Sequence, residues 1–129
     1  MNNNKYRECH SAFFEMREHY LYIRFKDDGL IDLSEAKIHA HHCIDLCNGK
    51  KMPFVIDGLD ISMRMEEDAR RFFTEYKPFV NMIKATAVLA NITQIKFLAR
   101  YYIKHHKTNH PIKVFDNLQD SLDWIGTLS

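Results

Sequence analysis

The last third of the chain, from Lys84 onward, alternates between segments typical of strands and segments typical of helices. Residues 85–90 and residues 112–115 are short apolar runs, as buried strands are. Each run is followed by a helical pattern, the first over residues 93–106 and the second over residues 118–128. Parallel strands need such crossover connections, so this order predicts a parallel sheet.

The first part of the chain adds strands of a different kind. Residues 20–26 alternate between apolar and polar side chains, which is strand periodicity, and residues 12–17 form another β-rich run just before them. The short junction between the two runs predicts an antiparallel hairpin, and Asp27-Asp28-Gly29 predicts the turn that ends it. Residues 1–10 are expected to be flexible or irregular.

Two helices and one strand occupy the middle of the chain. Ser34 is the predicted N-cap of the first helix, which should end at Asn48-Gly49. Residues 53–57 read as a strand buried on both faces. The second helix is predicted to start near Ser62 and to be broken by Pro78. One apolar face defines that helix: Met65, Ala69, Phe72, Phe73 and Tyr76.

The predicted fold is α/β, in the order β-β-α-β-α-β-α-β-α, with a mostly parallel sheet, an antiparallel edge strand and helices packed on the sheet. A length of 129 residues suits one domain over residues 1–129. The net charge of +1 gives no nucleic-acid footprint, and no run approaches the ~20 apolar residues of a membrane span or forms a signal peptide. Three cysteines without a CxxC motif suggest reduced thiols, so a cytoplasmic location is expected.

The order of these segments resembles a known family. The closing sequence IKVFDNLQDSLDWI (residues 112–125), with DARR at residues 68–71 and the strand of residues 84–90, is similar to STAS-like proteins. These are relatives of the anti-sigma-factor antagonists of sporulation, and the likeness is to an uncharacterised bacterial branch over residues 13–125. It implies a non-catalytic regulatory module that binds a protein partner.

The resemblance also implies a place for a phosphoacceptor serine. In phospho-switched relatives it follows the third strand, at the start of the next helix, within an Asp-Ser-x-Gly-like motif. Residues 57–64 read DGLDISMR here, so Ser62 is the candidate, but no glycine follows it and Asp60 lies two residues upstream. A phosphate would suit a helix N-terminus, although Ser62 could equally serve as a helix cap.

Polar residues follow two neighbouring strands of the predicted sheet. Asp57 and Asp60 come at the end of one strand, and Asn91 and Thr93 follow the next. Open α/β sheets bind ligands at this edge, although turns and helix caps favour the same residue types. The candidate interaction or ligand edge comprises Asp57, Asp60, Ser62, Arg64, Asn91 and Thr93.

A second class of function remains open, in which this edge binds a small polar or apolar molecule or works as a cryptic enzyme. The side chains that could line an apolar cavity are Phe72, Phe73, Phe79, Met63, Met65 and Met82. No recognisable catalytic or nucleotide-binding motif is present, so neither an enzyme nor a cofactor is predicted. The antiparallel edge strand could also support a homodimer.

Histidines and cysteines crowd the first predicted helix: His39, His41, His42, Cys43 and Cys47. Both residue types bind zinc, but the spacing places Cys43 and Cys47 on an apolar stripe and leaves at most two of the five to converge. The sequence therefore favours core cysteines, surface histidines and no metal. A second group, His105, His106 and His110, lies at the end of the third predicted helix.

Overall fold

A computed structural model of the protein describes residues 5–94 and 110–128. The strands of this part are β1 (Tyr6–Glu8), β2 (Ala12–Met16), β3 (Leu21–Phe25), β4 (Gly29–Ile31), β5 (Met52–Asp57), β6 (Met63–Met65), β7 (Ile83–Leu89) and β8 (Ile112–Phe115). The helices are α1 (Leu33–Cys47), α2 (Glu67–Glu75), α3 (Lys77–Val80) and α4 (Leu118–Gly126). No helix within these ranges combines the length and the apolar character needed to cross a membrane.

Six strands form the main sheet in the order β1-β2-β3-β5-β7-β8, and β4 pairs with β6 in a separate small sheet. The first three strands of the main sheet are antiparallel neighbours, whereas β3, β5, β7 and β8 are parallel. The predicted α/β class, the hairpin and the parallel unit are therefore confirmed. The predicted helix over residues 93–106 falls almost entirely outside the described residues.

Alternate residues of the central strands serve two apolar layers. Leu21 of β3 and Phe54 of β5 belong to the core that α1 and α3 cover, while Val55 faces the layer that α4 covers. Strand side chains point alternately to opposite faces, so β5 is apolar on both faces, as its sequence predicts. Because β3, β5, β7 and β8 are parallel, their carboxyl ends lie at one edge of the sheet, and the candidate site is at this edge.

The starts of two helices differ from the sequence-based expectation. Asp32, not Ser34, is the N-cap of α1, because its carboxylate accepts the backbone N–H of Glu35 at 2.8 Å. The second helix begins at Glu67, not near Ser62. The intervening Met63–Met65 segment forms β6, whose pairing with β4 outweighs the helical pattern.

Two shorter elements were also not expected. Tyr6–Glu8 forms an edge strand on β2, in contrast to the irregular N-terminus predicted for residues 1–10. Pro78 does not simply follow α2 but lies in the first turn of the separate short helix α3, where a missing backbone N–H is tolerated.

Candidate functional site

Asp57, the last residue of β5, is buried at the carboxyl edge of the sheet with 7% of its surface exposed. Its carboxylate accepts a short hydrogen bond from the Tyr22 hydroxyl, pairs with Arg24 Nη1 at 2.9 Å and accepts the Leu59 N–H at 3.0 Å. Burial, then the hydrogen bond to Asp57, raises the pKa of Tyr22 to about 12. The carboxylate is thus held by three protein groups.

Asp60 takes part in a different network. Its carboxylate accepts a hydrogen bond from Asn91 Nδ2 at 3.1 Å, and its backbone is left-handed with φ of 60°. Asn91 and Gln94 form a reciprocal capping box, each accepting the other's backbone N–H, at 2.9 and 2.7 Å. Gln94 Nε2 also donates to the carbonyls of Gly58 and Ile61, which ties the turn after β7 to the loop after β5.

Ser62, at the end of the same loop, and Arg64, in strand β6, are both exposed. The Ser62 N–H donates to Asp27 Oδ1 at 2.7 Å, and Ser62 stands before β6, five residues ahead of the helix. The helix-terminus geometry expected for a phosphoacceptor is therefore absent at Ser62, as is the helix-capping role. An open groove is lined by Asp28, Gly29, Ser62, Met63 and Arg64.

The six candidate edge residues are only partly brought together. Asp60 and Asn91 are in contact, whereas Asp57 is turned toward β3, where Tyr22 and Arg24 hold its carboxylate. Thr93 is exposed, beside Ile92, whose exposed fraction is 72%. The carboxylates of Asp57 and Asp60 thus belong to two separate hydrogen-bond networks.

The aromatic and methionine residues proposed to line an apolar cavity are packed instead. Phe79 and Met82 are buried in the core, and the Phe73 ring lies 5.5 Å from that of Phe79 and 6.1 Å from that of Phe72. Met63 and Met65 pack on the small cluster beneath the β4–β6 sheet. A second open groove, between α1 and α2, is lined by Lys37, His41, Ile44, Phe72 and Tyr76.

A buried polar cluster that the sequence did not predict lies between the start of β2 and α1. Ser11 is buried, with 1% of its surface exposed. Its hydroxyl oxygen lies 2.7 Å from Glu35 Oε2 and 2.6 Å from His39 Nε2. The Ser11 N–H also donates to Glu35 Oε2, at 2.9 Å, and Cys9 Sγ lies 3.8 Å from the Ser11 hydroxyl. Four polar side chains thus converge, of which Ser11, Glu35 and His39 are buried and Cys9 is half-buried.

The surroundings of this cluster explain its proton affinities. His39 is enclosed by the rings of Phe14, Phe25 and Phe73, with centroids at 5.0, 6.2 and 5.9 Å. Burial lowers the pKa of His39 to about 4, although Glu35 opposes the shift. The pKa of Glu35 is lowered despite its burial, because Ser11 and Cys9 donate hydrogen bonds to the carboxylate. Burial raises the pKa of the Cys9 thiol.

The histidines and cysteines of α1 follow their predicted faces with one exception. Cys43 and Cys47 are buried, as predicted, and His41 is exposed. His39 is buried, so its assignment as a surface histidine is wrong. Of the second histidine group, His110 lies 2.9 Å from the Thr86 hydroxyl, and the other two lie outside the described residues. The i,i+4 spacing of Glu35 and His39 was the visible sequence signal for the cluster.

Comparison with known families places the chain. The family model described as "Domain of unknown function (DUF7793)" matches residues 14–129. The chain belongs to the DUF7793 family. No curated protein matches the DUF7793 chain.

The DUF7793 chain is also similar to a crystal structure, solved at 2.25 Å resolution, of an uncharacterized DUF3478-family protein from Shewanella loihica PV-4. The TM-score is 0.68 and the identity 14%, over 92% of this chain and 97% of that chain. That protein is described as having a SpoIIAA-like fold. The likeness concerns the fold alone, and at that level it confirms the STAS-like resemblance.

Proposed function

We propose that this DUF7793 chain is a non-catalytic regulatory module that binds a protein partner through the carboxyl edge of its sheet. The edge consists of the loop of residues 58–62 and the turn of residues 91–94. Its functional groups are largely engaged within the protein: Asp57 by Tyr22 and Arg24, and Asp60 by Asn91. Such groups stabilise a surface shape and are not available to activate a substrate.

The observation that carries the proposal is the set of hydrogen bonds that joins the turn of residues 91–94, which bears Ile92, to the loop of residues 58–62. Gln94 hydrogen-bonds to two carbonyls of the 58–62 loop, and Asn91 completes the capping box. Hydrogen bonds therefore hold the residue before Ile92 and the residue after Thr93. Ile92 itself is 72% exposed. An apolar side chain presented on a pre-organised loop costs little conformational entropy when a partner covers it.

The fold supports the same choice by analogy, because STAS-like domains are expected to act through protein contacts. Fold analogy alone is a weak argument for function, so the test must address the edge directly. The partner is a protein of the same cell. A cytoplasmic location, and a homodimer through the exposed edge strand β1, belong to this proposal as well.

The test is affinity capture from native cells with three baits, followed by mass spectrometry. The baits are the wild type, Ile92→Asp and the control Ile38→Asp, since Ile38 is an exposed isoleucine on α1, 42% exposed. Aspartate is tolerated in a first helical turn, so Ile92→Asp should fold normally. We expect a partner that the wild type and Ile38→Asp retain and Ile92→Asp loses.

A partner that binds Ile92→Asp as well as the wild type would place the interaction elsewhere and contradict the proposal. The alternative function is small-ligand binding in the groove beside Ser62 and Arg64. Native mass spectrometry of the purified chain separates the two: a bound small molecule lost in Arg64→Ala would favour the ligand.

A further inference from the structure

A thiol, a carboxylate and an imidazole meet where the β1–β2 connection packs on α1. The ligand atoms of Cys9, Glu35 and His39 all lie within 4.8 Å of one another. Within residues 5–94 and 110–128 this is the one group of three or more such side chains. These are the side-chain types that bind zinc in proteins.

The backbone positions these groups from two directions. Glu35 and His39 are one turn apart on the inner face of α1, which runs without a break from its Asp32 cap to Cys47. The Glu35 side chain does not turn back to the N-cap, as in a capping box, but reaches inward to the N–H of Ser11. Cys9 arrives from the connection between β1 and β2.

The Ser11 hydroxyl stands at the centre of this group, at 2.6 Å from His39 Nε2, 2.7 Å from Glu35 Oε2 and 3.8 Å from Cys9 Sγ. Zinc binds nitrogen and oxygen at about 2.0 Å and sulfur at about 2.3 Å. An ion at the hydroxyl position would therefore draw the His39 nitrogen and the Glu35 oxygen inward by about 0.6 to 0.7 Å and the Cys9 sulfur by about 1.5 Å. Rotation of the Ser11 side chain would vacate the position, or its hydroxyl could supply the fourth ligand.

Charge argues in the same direction. Glu35 is a buried carboxylate, and the basic group within 4 Å of it in the described part of the chain is the His39 imidazole, at 3.9 Å, which balances the carboxylate charge only when it is protonated. Buried charges in proteins are paired with an opposite charge or coordinate a metal. Three phenylalanine rings around His39 exclude water from one side, as in a closed structural site.

From this geometry we infer that Cys9, Glu35 and His39 bind one divalent transition-metal ion, with zinc as the best chemical match. Sulfur with imidazole selects zinc over magnesium or calcium. On binding, the Cys9 S–H bond is replaced by an S–Zn bond and the proton leaves to solvent. The thiolate and the carboxylate together then balance the two positive charges of the ion.

The test uses the full chain without a histidine tag, stripped by a chelator and titrated with Co²⁺, which reports both geometry and sulfur ligation. We expect one equivalent to give tetrahedral d–d absorption and a thiolate-to-cobalt charge-transfer band, both displaced by Zn²⁺. Cys9→Ala should abolish the charge-transfer band. Glu35→Gln should weaken Zn²⁺ binding about tenfold or more.

Two controls separate ligation from general effects. Cys47→Ala removes a buried thiol of α1 that is not in the proposed site, and His41→Ala removes an exposed histidine of the same helix. Both variants should bind cobalt as the wild type does. Glu35→Gln keeps an oxygen that accepts from Ser11, so it tests the charge without emptying the site. Absence of stoichiometric binding, or binding unchanged in both Cys9→Ala and Glu35→Gln, would overturn the inference and leave a hydrogen-bonded core cluster.

Discussion

At the scale of single residues, a buried carboxylate and its partners hold the carboxyl edge of the sheet in place. Asp57 lies at the end of a buried strand, where an unpartnered carboxylate would be costly, and Tyr22 and Arg24 from the neighbouring strand meet it. The parallel register sets Arg24 opposite Asp57, so the pair forms wherever the sheet forms. Asp57 is therefore best understood as an anchor of the edge.

This arrangement predicts a pH dependence in alkali. The pKa of Tyr22 is about 12 in the folded protein against 10.0 for a free phenol, so the folded state holds this proton more tightly. The resulting stability is fully present below pH 10 and is lost as the pH rises toward 12. Urea unfolding across this range should therefore show a smaller loss of stability for Tyr22→Phe than for the wild type.

The control for this titration is Tyr76→Phe, because Tyr76 is an exposed tyrosine on a different face. It should keep the wild-type pH profile. Tyr22→Phe should also lose about 1 to 3 kcal/mol at neutral pH, because its hydrogen bond is made to a charged group. Identical alkaline slopes in the wild type and Tyr22→Phe would contradict the assigned role of Tyr22.

At the scale of elements, the start of α1 shows how close candidates compete for one role. Asp32 and Ser34 are both good N-cap residues, and propensity alone does not choose between them. The choice is made by β4, which ends at Ile31 and delivers the chain to the helix one residue later. Starting there also sets Glu35 and His39 on the inner face.

The cap is testable with a matched pair of substitutions. Asp32→Ala should lower the free energy of unfolding by about 1 kcal/mol, because the N–H of Glu35 loses its acceptor. Ser34→Ala, in the exposed first turn, should change it by less than about 0.5 kcal/mol. Urea denaturation monitored by circular dichroism gives both values, and equal losses would contradict the assignment of Asp32.

Element prediction from the sequence succeeded where periodicity is local and failed where pairing is distant. The hairpin and the buried strand β5 follow from neighbouring residues alone. Met63–Met65 has only three residues, and its partner β4 lies more than 30 positions earlier. This distant pairing was not visible in the sequence. The apolar spacing that begins at Met65 was therefore assigned to the helix, and the helix start was predicted near Ser62.

At the scale of the whole molecule, the parallel pairing of the sheet was predictable and the buried polar cluster was not. Strands that alternate with helices dictate a parallel order, whatever side chains they carry. The cluster instead needs Cys9 and Ser11 to meet α1, which depends on the β1–β2 connection folding over the helix. That connection belongs to a segment that composition marks as irregular, so only the i,i+4 pair on α1 was visible.

Phe13 and Phe14 are adjacent in β2, but they contribute unequally to the stability of the fold. Phe14 is fully buried in the main core, where its ring meets His39 and His42, whereas Phe13 is exposed on the other face of the sheet. Phe14→Ala should therefore lower the free energy of unfolding by about 3 to 5 kcal/mol, since it leaves a cavity beneath α1. Phe13→Ala should cost less than about 1 kcal/mol, because it loses mainly surface contacts of its ring with Lys26, at 4.7 Å, and with the Tyr6 ring, at 6.4 Å. Chemical denaturation of both variants measures the difference, and comparable losses would show that α1 does not pack on this face.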